Sequence, residues 1–166
     1  MKKLLLMTLL LTVACTLTSC RSTIRKMRSK VKIERVEAVR IESLSSVEID
    51  FAVQNGTAHK LHLDEAVLTL RYQDATVATM TLREKIELPR RSEQVVTTRW
   101  WVEVKNPLAA LALLPKLQQD VSAATVDVEL KGHGGPVPVN ISREKMPLSY
   151  FLNTFGVDMT AIKNLL

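Results

Sequence analysis

From Val31 onward, apolar and polar residues alternate with a period of two, the pattern of half-buried strands. In SVEIDFAVQNG, Val47, Ile49, Phe51 and Val53 share one face before Asn55-Gly56 marks a turn. KLHLDEAVLTLRY places Leu61 and Leu63, then Leu68, Leu70 and Tyr72, on one face, and the break in phase around Glu65 to Val67 predicts a bulge. Val77 to Leu82 and Lys85 to Leu88 read as further strands, with Pro89-Arg90-Arg91-Ser92 as the next turn. Val96, Thr98, Trp100, Val102 and Val104 alternate again. Thr125 to Leu130 and Val137 to Ile141 form a predicted hairpin around Lys131-Gly132-His133-Gly134-Gly135. Pro136 and Pro138 remove alternate backbone donors, which places their strand at a sheet edge. Seven or eight short strands in this span predict an all-β domain, a β-sandwich.

Two segments depart from period two. NPLAALALLPKLQQD has Asn106 as an N-cap and Pro107 at the first helical position. Ala110, Leu113, Leu114 and Leu117 form its buried stripe, widened by Leu108 and Leu111, and Pro115 is expected to end or kink the helix near Leu114. Such a helix would cap one open end of the sandwich, with a lipid-contacting plug as the alternative. In MPLSYFLNTFG, Leu148, Phe151, Leu152 and Phe155 are spaced i, i+3, i+4, i+7, with Gly156 as a stop. Asp158 then caps a second short helix carrying Met159, Ile162, Leu165 and Leu166. This tail either docks on its own domain or offers Phe151 and Phe155 as a greasy handle for a partner or a membrane.

The start of the chain has another logic. Lys2 and Lys3 precede an apolar run from Leu4 to about Leu17, the length of a signal-peptide core and shorter than a bilayer span. The run ends in Leu17-Thr18-Ser19-Cys20, which resembles the bacterial lipobox. There the cysteine is diacylated through sulfur and becomes the mature N-terminus. The rival Cys15 has Thr12 at its −3 position and leaves a shorter apolar core. With Cys15 removed and Cys20 lipidated, the mature domain keeps no thiol for a disulfide or a cysteine metal site.

The formal charge of +6 raises the question of nucleic acid, and its distribution answers it. Lys2 and Lys3 leave with the signal, and Arg21, Arg25, Lys26, Arg28, Lys30 and Lys32 follow Cys20 with no acidic residue among them. Beyond position 32 there are 15 basic and 17 acidic side chains, a net of −2. The positive charge is therefore expected in a short tether, Arg21, Arg25, Lys26, Arg28 and Lys30, which either lies against an anionic membrane surface beside lipidated Cys20 or is a solvated linker that happens to be basic. Nucleic acid is not an expected partner. Arg21 stands where an aspartate would retain a lipoprotein at the inner membrane, and the tether lacks an acidic export cluster. Both features point to the periplasmic face of the outer membrane.

Little chemistry is visible. His59 and His62 stand three apart on a strand and point to opposite faces, so they do not easily share a metal. His133 falls in a glycine-rich hairpin tip, and GHGGP lacks the lysine and helix of a phosphate loop. Asp64-Glu65 are neighbours whose side chains diverge on a strand, and no serine sits in a nucleophile-elbow pattern. No catalytic residue, cofactor or metal is expected. Trp100 and Trp101 face opposite sides of one strand. Trp100 belongs to the core, whereas Trp101, with Arg99, Glu103 and Lys105, is a candidate contact for a partner unless the helix or the tail covers it.

FAVQNGTAHKLHLDEAVLTLRYQDATVATMTL, RWWVEVKNPLAALALL and the ending Pro147-Leu148-Ser149-x-Phe151-Leu152 together resemble the type 2 late-embryogenesis-abundant (LEA-2, or WHy domain) family. The resemblance spans about residues 31 to 152. Asn55 is followed here by Gly56 where the family pattern has proline, and Val77-Ala78 by Thr79-Met80 where it has glycine. The resemblance implies an immunoglobulin-like or fibronectin-III-like sandwich with a helix between strands, and no catalytic residues.

The expected organisation is a signal peptide over 1–19, a lipidated basic tether over 20–30, a β-sandwich domain over 31–145 and an amphipathic helical segment over 146–166. The expected function is a non-enzymatic, membrane-anchored envelope module with a protein or lipid partner. A periplasmic carrier, holding an apolar ligand between the sheets and the inserted helix, is the alternative.

Overall fold

A computed structural model describes residues 30–43 and 45–155. The expected leader, Cys20, Arg21, Arg25, Lys26 and Arg28, together with Gly156 and the expected second C-terminal helix, lie outside the described residues. Eight strands appear in chain order: β1 (Val31–Ser43), β2 (Ser46–Asn55), β3 (Leu61–Tyr72), β4 (Ala75–Leu82), β5 (Ile86–Leu88), β6 (Ser92–Val104), β7 (Ala124–Gly134) and β8 (Val137–Pro147). Helix α1 (Pro107–Gln119) and a short 3-10 turn (Val121–Ala123) connect β6 to β7, and helix α2 (Leu148–Thr154) follows β8.

The strands pair antiparallel along one continuous hydrogen-bonded path, β1-β2-β6-β4-β3-β7-β8. β4 joins the β1-β2-β6 group to the β3-β7-β8 group. β5 adds to β3 over Leu61 to Leu63, on a stretch that β4 does not reach. The irregularity in β3 lies between Leu63 and Glu65, slightly ahead of the expected place, where its pairing with β7 slips by one residue. β8 is an edge strand, as its prolines require.

The turns follow local chemistry. Tyr72 pairs with Ala75 across Gln73 and Asp74, both at positive φ (48° and 64°), the conformation that a two-residue hairpin needs. The β7–β8 loop is also two residues long. Gly134 pairs with Val137, and Gly135 takes φ +58°. The expected wide hairpin around His133 is thus replaced by longer strands, and His133 lies within β7.

Asn106 caps α1 by accepting from the Ala109 backbone N–H at 3.0 Å, and Pro107 opens the helix. The helix does not end near Leu114 but runs through Pro115 to Gln119. Leu111 and Pro115 are both exposed, so the Leu111 carbonyl that loses its partner can be hydrated. Its contact stripe is also narrower than expected. Leu113 is buried against Val77 and Ala124, with Ala109, Ala110 and Leu117 beside it, while Leu108, Leu111 and Leu114 face outward.

Trp100 is buried, and its indole N–H donates to Thr98 Oγ1 at 2.8 Å, while that hydroxyl donates to the Ile49 carbonyl at 2.9 Å. This chain of bonds lets a large aromatic fill the core without an orphaned donor. Val104, expected on the same core face, is half exposed where β6 ends.

Candidate interaction surface

The domain has two distinct ends. The chain enters β1 at Lys30, whose carbonyl accepts from the Gly56 N–H at 2.8 Å. Nearby, Asn55 is 1% exposed and fully bonded. Its side-chain NH2 donates to the carbonyls of His59, Leu88 and Pro89, and its Oδ1 accepts from the Thr57 N–H and hydroxyl. One buried amide therefore holds the β2–β3 loop against the β5–β6 turn. At the other end of β6, about 40 Å away at the usual rise per strand residue, Val104 leads into α1.

The exposed face of α1 is apolar: Leu108 is 79% and Leu111 66% exposed, with Leu114 beside them. Trp101 is 48% exposed. The Arg83 guanidinium lies 5.7 Å from the Trp101 ring centroid, a cation–π contact. Phe151 and Phe155, the other candidate contacts, are half buried. Phe155 packs on Phe51 of β2 at 6.1 Å and on Phe151 at 4.5 Å, and Leu152 is buried. Helix α2 thus docks on its own domain, and Met146 and Pro147, assigned from the sequence to the tail, belong to β8.

Charge on the outer faces is largely paired. Arg40 bridges Glu48 and Asp50, and Arg99 bridges Glu48 and Glu84. Hydrogen bonds from Arg40 and then Arg99 hold the Glu48 carboxyl below its ordinary range. Lys30, the residue of the expected tether that falls within the described residues, is exposed.

One cluster was not visible in sequence spacing. His62 pairs with His133 across the β3–β7 ladder rather than with His59, and their rings stack with centroids 4.3 Å apart. Gly132 permits this. A Cβ there would sit 2.1 Å from the His62 carbonyl oxygen, so only glycine lets β7 approach the slipped part of β3. His133 Nδ1 lies 2.9 Å from Asp64 Oδ2, and His62 Nδ1 lies 3.4 Å from Glu87 Oε1. The His133 ring and Lys85 hold Asp64 below its ordinary value, and Lys60 does the same for Glu87. Both rings are thus taken up by carboxylates and by each other. Among the described residues no group of three or more His, Cys, Asp or Glu side chains is placed to hold a metal.

A shallow depression of about 440 Å³ lies on β8 and α2, lined by Arg143, Glu144, Met146, Pro147 and Tyr150. No helix among the described residues is long and apolar enough to cross a membrane.

No protein-family model and no curated protein matches the chain. Among solved structures it is similar to a protein from Archaeoglobus fulgidus, at 11% identity and a TM-score of 0.47, over 68% of this chain and 91% of that one.

Proposed function

We propose that this chain is a lipid-anchored, non-enzymatic envelope module that presents an apolar contact surface away from the membrane. In this reading the lipobox cysteine, Cys20, carries the acyl chains, and the basic residues after it lie against anionic headgroups at the periplasmic face of the outer membrane. The domain is a β-sandwich of the LEA-2 type, with β1-β2-β6 and β3-β7-β8 as its two leaves and β4 as the strand that joins them.

The observation that carries the reading is the polarity of the domain. The chain enters at Lys30, while the exposed leucines of α1 sit beyond the opposite end of β6. An anchor at one end and an uncovered apolar helix at the other suit a spacer that holds a contact surface out toward an envelope protein. The test is metabolic palmitate labelling with membrane fractionation. Wild type takes up label and sediments with outer membrane, whereas Cys20→Ala does neither. Continued labelling of Cys20→Ala overturns the anchor, and unchanged partner capture by Leu108→Ser/Leu111→Ser overturns the contact surface.

A further inference from the structure

Phe155 is the last described residue, and its ring rests on Phe51. Phe51 shares a face of β2 with Ile49 and Val47, and the ladder extends this face onto β1. Val36 stands opposite Phe51, Val39 opposite Ile49, and Ile41 opposite Val47. On the other flank the same rows continue to Thr98 and Trp100, both buried, so this is the inward face. The reverse face of these strands carries the Arg40–Glu48–Arg99 ion pairs. Yet Val39 is 44% exposed and Ile41 74%. An apolar, inward-facing surface is left open along the β1 edge.

The residues after Phe155 have the composition to cover it. Met159, Ile162, Leu165 and Leu166 recur at helical spacing, with Asp158 and Lys163 the charged residues among positions 157 to 166. The distances agree as well. From Phe51 to Val47 along β2 is about 13 Å at the usual strand rise, and a helix of nine residues, the number from 158 to 166, would extend about 13 Å.

We propose that residues 158–166 lie along the inward face of β1 and β2, with Ile162 and the leucines after it over Val39 and Ile41. The segment continues the contact that Phe155 begins and seals the sheet at its β1 edge. It does not depend on lipidation of Cys20.

The test places a photoreactive benzophenone amino acid at position 162 or 165 of the full chain, with mapping of the crosslinked peptides. The expected product is an intrachain crosslink to residues 36–51 that migrates as a monomer. A crosslink to a second copy, to another protein, to lipid or to α1 overturns the proposal, as does no crosslink at either position. In a second measurement, a stop after Phe155 should speed amide exchange at residues 36–43 at least tenfold while β3 and β7 keep their protection. Unchanged exchange in β1 overturns the proposal.

Discussion

His62 and His133 lie face to face across two antiparallel strands, their planes within 8° of parallel. The stack rests on a glycine next to one of them. Gly132→Ala should push β7 away from the His62 carbonyl and destabilise the domain by about 1–3 kcal/mol, as overpacking does. Chemical denaturation reads the loss, and the ring-current shifts of the two imidazoles read the separation. Unchanged values in both would show that the strands do not approach this closely.

Asn55→Ala removes all five hydrogen bonds of that side chain and takes the acceptor from the buried Thr57 N–H. A loss of roughly 2–4 kcal/mol is expected, since each unsatisfied buried group costs about 1–3 kcal/mol. Asn55→Asp should rescue little, because the three carbonyls need a donor that an ionised carboxylate lacks. Comparable stability for the aspartate variant and wild type in urea melts would refute this account.

Asp127 sets an acid limit. Burial pushes its carboxyl up, but the Lys145 backbone N–H and the Arg71 guanidinium, at 2.8 Å and 2.5 Å, hold it below its ordinary value. A depressed folded pKa means that the contribution is complete above the unfolded value and is lost as pH falls through the folded one. Stability should therefore decline below about pH 4. In Asp127→Asn, which is less stable at neutral pH, that part of the decline should be absent. Parallel pH profiles for the two proteins would exclude this pair as its source.

The adjacent tryptophans should separate cleanly. Trp101→Ala should change stability by less than about 1 kcal/mol, as exposed substitutions do. Trp100→Ala should cost about 3–5 kcal/mol. Acrylamide quenching of the remaining indole gives an independent check, with Trp101 quenched readily and Trp100 protected.

The strands were legible because alternation is local: Val47 to Val53 and Val96 to Val102 announce their own geometry. So were Asn106 and Pro107 at the start of α1, where a cap and a fixed φ act within one turn. The outward turn of Leu114 was not legible. A leucine-rich helix has several faces that could be buried, and the choice made by Val77 and Ala124 is tertiary. His62 and His133 escaped for the same reason, since their meeting depends on a ladder register and a slipped strand. The docking of Phe155 on Phe51 joins elements far apart in sequence. Periodicity identified the aromatic stripe of α2, but not the surface that receives it.

The entry of β1 also has a mechanical consequence. The chain reaches Val31 at one end of the ladder and runs antiparallel to β2 as far as Ser43. A pull on the residues before Lys30, resisted by a partner gripping α1, would act along the strand axis. The β1–β2 bonds would then bear the load together, as a lap joint does, instead of opening one after another like a zip. A domain loaded in this way is suited to remain folded under tension between two attachments.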